Sequence, residues 1–273
     1  MPDEQNQSVL KFEGVSVVFD EVKALDDVSF EVFEGETRIL FGAAGSGKTV
    51  LLKTALGLQK PDAGRVYVFG QDITNLPEQR LFRIRSRIGV LFQEGGLFDS
   101  LTVGENVSYP LVNLEGFGLP EAEVRKRAEE ALRFVELEHT FDRFPSELSG
   151  GMRRRVGIAR AVVTEPRLVL YDSPTAGLDP ITAYTIVALI IKERDLKNTT
   201  TLMATHRYQD GHFLATHRYD AERETAEPVS EAEEQLRTTF MVFGQGRLVF
   251  EGSLPELNAS RDPYVSKFVR RGE

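Results

Sequence analysis

The sequence predicts an α/β fold: a mostly parallel core sheet, an antiparallel β subdomain and an inserted helical subdomain. Three observations carry that prediction. Short apolar runs, "TRILFG" (37–42), "RIGVLFQ" (87–93), "RLVLYD" (167–172) and "TTTLMATH" (199–206), are separated by helix-patterned stretches, the alternation that builds a parallel sheet. Two alternating apolar–polar runs, "SVLKFEGVSVVFD" (8–20) and "ALDDVSFEVFEGE" (24–36), lie back to back near the N-terminus and read as antiparallel strands. From about 94 to 165 the texture is helical, so this stretch reads as a subdomain inserted between two strands.

Taken in order, "TRILFG" enters a Gly-rich turn, and "KTVLLKTALGL" (48–58) follows with helical spacing. "KPDAG" (60–64) is a turn and "RVYVFGQDI" (65–73) a strand. "RIGVLFQ" is a strand ending at Gln93. "EAEVRKRAEEALRFVEL" (121–137) is an amphipathic helix with acidic residues first and Lys/Arg interleaved, and "GGMRRRVGIARAVV" (150–163) is a helix opened by two glycines. "TTFMVFGQGRLVFEG" (238–252) is a hairpin about Gly-Gln-Gly. The expected organisation is one domain, with 10–93 and 166–252 as core plus β subdomain and 94–165 as the helical subdomain. Residues 221–237 form an acidic, solvent-exposed insertion, and 253–273 a C-terminal tail. "MATHRYQD" (203–210) is echoed by "LATHRYDA" (214–221), a near repeat to which no function attaches.

The 273 residues allow a large buried core, and 41% hydrophobic with 27% charged residues is ordinary for a globular protein. A net charge of −9 argues against a general nucleic-acid binder, which needs a basic surface. Arg153, Arg154 and Arg155 accordingly read as a solvated helix face or a subunit contact. The absence of cysteine excludes disulfides and thiolate metal sites. The N-terminus lacks a signal-peptide pattern, and the run "AYTIVALII" (183–191) is far short of the roughly 20 residues a bilayer demands. The expectation is a soluble protein whose membrane role comes through a partner.

"GAAGSGKT" fits G-x-x-x-x-G-K-[S/T], with a strand before it and a helix after. Gly42, Ala43, Ala44, Gly45, Ser46 and Gly47 would turn the backbone N–H groups onto a phosphate chain, with Val50 entering the helix whose positive end faces it. Lys48 would reach the β- and γ-phosphates and Thr49 would bind Mg2+. Asp172, ending an apolar strand, would sit beside Thr49 and hold the same Mg2+ through water. "LSGGM" (148–152) offers a second anion site, built from Ser149 and the N–H groups of Gly150 and Gly151, with Met152 completing the turn.

These motifs, with Gln93 at a strand end, "GLDP" (177–180) and His206 after a strand, stand in the order found in the ATP-binding cassette (ABC) family, which the chain resembles over roughly residues 10 to 252. The resemblance implies the P-loop NTPase fold of ABC ATPases, with ATP and Mg2+ as cofactors. It implies a head-to-tail dimer of two copies that buries two ATPs, each between one subunit's Lys48 loop and the other's Ser149 segment. It gives Gln93 contacts to Mg2+ and the water and a link to the membrane subunit, His206 a hydrogen bond to the γ-phosphate, Asp179 a contact across the interface, and Phe19 a stack on adenine. His139, His212 and His217 have no such logic.

"LFQEGGLFDSLTVGENVSYPL" (91–111), "ELSGGMRRRVGIARA" (147–161) and "DPYVSKFVRR" (262–271) resemble more narrowly the ATPase subunit of Mla/Mce-type phospholipid transporters. That resemblance implies a permease partner, an Mce lipid-carrying protein and, in part of the family, a small cytoplasmic regulatory subunit, at the cytoplasmic side of a bacterial inner membrane. The tail of relatives can reach across the ATPase dimer, and a contact of this kind is expected here. The alternatives are an ATP-gated assembly module with negligible hydrolysis, or the ATPase of an importer or exporter of another small solute.

One position departs from the family. Ser173 stands where it places the glutamate that orients and polarises the attacking water, and a serine hydroxyl is no base near neutral pH. Three arrangements remain open: a slow site in which His206 and Gln93 hold the water, substitution by Glu94, or a position changed or evolved so that the ATP-bound state is the functional one.

Overall fold

The computed structural model describes residues 8–93, 95–114, 118–229 and 238–270. β1 (Ser8–Phe19) and β2 (Val22–Phe33) pair antiparallel, and β4 (Ala63–Val68) with β5 (Gln71–Asp72) completes a sheet of order β2-β1-β4-β5. The second sheet has the order β12-β11-β3-β8-β7-β6, from β3 (Thr37–Gly42), β6 (Ile88–Leu91), β7 (Leu168–Asp172), β8 (Thr200–Thr205), β11 (Thr238–Gly244) and β12 (Arg247–Gly252). Its neighbours from β11 to β6 are parallel, and only the edge strand β12 is antiparallel.

Both faces of this sheet are covered, so β3, β7 and β8 are buried end to end, as continuous apolar runs in parallel sheets require. Period-2 alternation divides the core. Leu40, Leu168, Leu170, Leu202 and Met241 face α1 (Lys48–Ala55) and the antiparallel sheet. Ile39, Phe41, Val169, Tyr171, Met203 and Val242 face the other way, onto α3 (Val103–Asn113), α4 (Glu121–Phe134), α5 (Gly150–Val162), α6 (Pro180–Lys197) and α7 (Tyr208–Thr216). The helical stretch between β6 and β7 packs through α3–α4 and α3–α5 contacts. Two short helices, α8 (Leu254–Ala259) and α9 (Ser266–Arg270), close the chain. Among the described residues no helix is long and apolar enough to cross a membrane.

Several local expectations are corrected. The strand expected over 65–73 is broken: Phe69 and Gly70 both take positive φ (51° and 77°) and make the two-residue turn between β4 and β5. Helix α2 (Glu78–Arg85) follows, a segment whose charges obscure its two inward residues, Leu81 and Ile84. β6 stops at Leu91, so Gln93 lies two residues beyond the strand rather than at its end. The acidic insertion is partly strand: β9 (His217–Asp220) pairs with β10 (Thr225–Pro228) against α6, while 230–237 lie outside the described residues. The three arginines of α5 do not form a uniformly solvated face: Arg153 is exposed, Arg155 half-buried and Arg154 buried. Arg153 donates to the Leu148 carbonyl at 2.6 Å and Arg155 to the Val135 carbonyl at 3.1 Å. Buried Arg154 donates to the carbonyls of Phe92 (3.5 Å) and Ala176 (3.2 Å).

Candidate functional site

Parallel strands point their carboxyl ends to one edge, and an open α/β sheet binds ligands in the crevice outside that edge. Here β3 delivers the Gly42–Thr49 loop, β7 delivers Asp172 and Ser173, β8 delivers His206, and the chain beyond β6 delivers Gln93. Ala43, Ala44, Gly45, Lys48, Thr49, Gln93, Asp172, Ser173 and His206 line one cavity of about 690 Å3.

The loop's shape rests on a glycine at its end and on the Lys48 side chain that reaches back to its carbonyls. Gly47 caps α1 with φ 105°, and a Cβ there would lie 2.2 Å from the Ala24 carbonyl oxygen, so only glycine lets β2 approach. Lys48 Nζ donates to the carbonyls of Gly42 (2.7 Å) and Ala43 (2.9 Å) and reaches Ser46 Oγ at 3.5 Å. Burial pushes its pKa down, and the negative charge of Asp172 opposes that shift. Thr49 Oγ1 donates to Asp172 Oδ2 at 2.7 Å, bringing together the two hard oxygen donors that the spacing assigned to one cation.

Ser173 is in the left-handed region (φ 49°). Its N–H donates to the Ala204 carbonyl at 2.8 Å and its hydroxyl to Asp172 Oδ1 at 3.3 Å. The segment after it is anchored by Asp210, on the first turn of α7. Asp210 Oδ2 accepts from Thr175 Oγ1 in a short hydrogen bond and from Thr205 Oγ1 at 3.4 Å, while Arg207 Nε lies 3.4 Å from Oδ1. Burial pushes the Asp210 carboxyl up, against the hydrogen bond from Thr175 and the charge of Arg207.

Other expected site residues lie elsewhere. Ser149 caps α5, accepting from the Met152 N–H at 3.2 Å, and Gly151 lies so close to α6 that a Cβ would meet Thr182 Cγ2 at 2.5 Å. Ser149, Gly150, Gly151 and Met152 are not among the residues lining the cavity of their own chain. Asp179 caps α6, accepting from the N–H groups of Ile181 and Thr182, and the hydrogen bond from the Thr182 hydroxyl lowers its pKa first. Phe19, 45% exposed, ends β1 at the tip of the hairpin whose return strand carries Ala24 against Gly47. Val50 lies in the first turn of α1. Glu94 lies outside the described residues.

Sequence reasoning missed six further lining residues: Arg207, Tyr208, Gln209, Tyr264, Lys267 and Phe268. The first three directly follow His206, so their place could have been read from adjacency. The last three belong to the tail, which the chain holds against its own core. Tyr264 Oη donates to the Phe243 carbonyl at 2.9 Å, and the Phe268 ring stacks 6.2 Å from that of Phe41. Only the i, i+4 aromatic spacing hinted at this.

A sheet of this order, with a phosphate-type loop after a central strand and a helical insertion carrying a second capped glycine turn, defines an ABC ATPase, a P-loop fold that binds ATP with Mg2+. The family description ABC transporter matches residues 25–176, and the chain belongs to that family. It is 41% identical over 185 residues to the methionine import ATP-binding protein MetN of Carboxydothermus hydrogenoformans, covering 68% of this chain and 54% of the relative. It is 36% identical over 197 residues to the probable ribonucleotide transport ATP-binding protein mkl of Mycobacterium leprae, covering 72% and 56%. The chain thus spans little more than half the length of these curated relatives. The ATP-binding cassette MJ0796, solved as a dimer in a post-hydrolysis state with ADP and Pi, matches with a TM-score of 0.73 and 30% identity over 90% of this chain and 99% of that one.

Proposed function

We propose that this chain is the ATP-binding and ATP-hydrolysing subunit of an ABC transporter, with turnover slowed by Ser173. The observation that carries the reading is the convergence of Lys48, Thr49, Asp172, Ser173 and His206 on one cavity at the carboxyl ends of parallel strands. The residues fit a magnesium nucleotide. Among the described residues there is no group of three or more His, Asp or Glu side chains able to hold a metal ion alone. The Thr49–Asp172 pair suits a hard cation that takes its remaining ligands from phosphate and water. When bound, magnesium ATP supplies the γ-phosphoryl group and neutralises its developing charge.

The chain's own groups then have distinct tasks. Lys48 exchanges its loop carbonyls for phosphate oxygens, which favours its charged form. Gln93 and His206 hold the attacking water, and Ser173 hydrogen-bonds to it without accepting its proton. Phe19 stacks on the base. The capped turn at Ser149–Gly151, which does not line the cavity of its own chain, serves the cavity of a second copy placed head to tail, with Asp179 at the interface. Replacing Lys48 with alanine is expected to weaken magnesium-ATP binding at least about tenfold, since it removes charge-assisted hydrogen bonds to phosphate. Equilibrium binding of a fluorescent ATP analogue reads this, and an unchanged affinity would remove the phosphate-site reading.

For the cargo we propose phospholipid, moved with a permease and an Mce-type carrier at the cytoplasmic side of a bacterial inner membrane, with a small regulatory subunit as a further partner. Support comes from the resemblance carried by 91–111, 147–161 and 262–271. A second reading, a small polar solute, draws on the methionine and ribonucleotide names of the relatives. Mass spectrometry of lipid extracted from the complex with its permease separates them. Stoichiometric phospholipid is the expected result; its absence, with ATPase stimulated by methionine, would move the assignment to the second.

A further inference from the structure

Asp210 is a buried carboxylate, 4% exposed, and a buried charge persists only where hydrogen bonds and a countercharge offset its desolvation. What satisfies it comes from two separate loops. Thr175, from the segment between Ser173 and Asp179, donates to Oδ2, and so does Thr205, the residue before His206. Arg207, the residue after His206, pairs with Oδ1 and itself lines the phosphate cavity. Thr205 Oγ1 also accepts the Arg207 N–H at 3.1 Å, so the three donors form one network. Both threonines are almost fully buried. The helix carrying Asp210 cannot drift: a Cβ on Gly211 would lie 2.6 Å from Phe41 Cζ and 2.9 Å from Ile39 Cγ2, on the strand that feeds the phosphate loop.

From this placement we infer that Asp210 is a positioning residue, locking the Ser173 loop and the His206 loop in one register against β3 and fixing Arg207 on the cavity wall. The inference rests on the ATPase reading above for its catalytic consequence, but its structural part stands apart from that reading. Asp210 touches no reacting atom. It acts through Thr175, Thr205 and Arg207, and an apolar core residue in its place would leave their donors unsatisfied.

The test uses the full chain carrying Ser173→Glu, which is expected to give measurable turnover, with Asp210→Asn, Thr175→Val, Thr175→Ser and the Asp210→Asn/Thr175→Val double variant. Asp210→Asn and Thr175→Val should each lower kcat by about 10²-fold, the cost of misplacing reacting groups by an ångström, and leave KM within about twofold. The double variant should be no worse than the worse single, and Thr175→Ser, which keeps the hydroxyl, should restore kcat. Hydrogen exchange supplies a readout that needs no hydrolysis: Thr175→Val should accelerate exchange in 173–179 and in 205–209 together. The inference is overturned if kcat is unchanged, if kcat and KM losses merely track a lowered thermal midpoint, or if exchange rises in only one loop. A Ser173→Glu parent that fails to hydrolyse ATP would sink the ATPase reading, while the exchange result would still decide the loop coupling.

Discussion

Replacing Ser173 with glutamate is expected to raise steady-state ATP turnover by about 10²–10⁴, the usual worth of a positioned general base. The site is otherwise equipped. Lys48, Thr49 and Asp172 are assembled, and Ser173 lies at the cavity with its backbone fixed by the bond to Ala204. That backbone is left-handed at φ 49°, a strain serine already bears, so a longer side chain adds little to it. What the substitution removes is the weak 3.3 Å hydroxyl bond to Asp172; what it adds is a carboxylate within reach of the water. The measurement compares the parent, Ser173→Glu and Lys48→Ala, each with the permease. A parent at the Lys48→Ala background with an active Ser173→Glu variant makes Ser173 a catalytic defect and the parent an ATP-binding switch. A parent well above that background, with little gain from glutamate, means that Gln93, His206 or another group positions the water, and the account of the missing base fails.

The elements legible in the sequence were those whose signal is local. The apolar runs of β3, β7 and β8 with their punctuation, the capped turn at Ser149 and the phosphate-loop spacing all speak through residues within one or two turns of each other. The juxtaposition of Thr49 and Asp172 also followed, because Asp172 ends one parallel strand and Thr49 lies in the first turn of the helix that follows the loop at the end of another. Tertiary partners hid the rest. The pentapeptide "ATHRY" shows the limit: at 204–208 it leaves a strand and enters a helix, whereas at 215–219 it leaves a helix and enters a strand. The same local preferences yield opposite outcomes because β8 is buried between β3 and β7, while the second copy pairs with β10. Two of the α5 arginines, Arg154 and Arg155, misled for a similar reason. Their charge suggested solvent, but their acceptors are backbone carbonyls of other segments, which composition does not display. The tail's place on the cavity depends on the contacts of Tyr264 and Phe268 with β11 and β3, beyond any sequence window.

A second large effect concerns stability. Glu193 on α6 is 3% exposed, and among the described residues the side chain that hydrogen-bonds to it is the Thr199 hydroxyl, at 3.2 Å. Burial pushes its pKa from the ordinary 4.5 to about 7, against the Thr199 bond and the charge of Lys197; Glu165, itself paired with Lys197 at 2.6 Å, adds to the rise. Because the folded value is raised, the native state binds more protons than the unfolded chain between pH 4.5 and about 7. Stability therefore falls as pH rises through that window, and above it the folded protein carries a buried charge costing on the order of 3 kcal/mol. Glutamine at this position keeps an acceptor for Thr199 and cannot ionise. Glu193→Gln should thus match the parent near pH 4.5 and exceed it by roughly that amount at pH 8, in denaturant unfolding at both values. Other titrating groups, including Asp210 and His217, cancel in the difference between the two proteins, so the pH dependence of that difference belongs to Glu193. A constant difference across the range would mean that Glu193 stays ionised in the folded protein, its charge met by the Lys197 ammonium despite the burial.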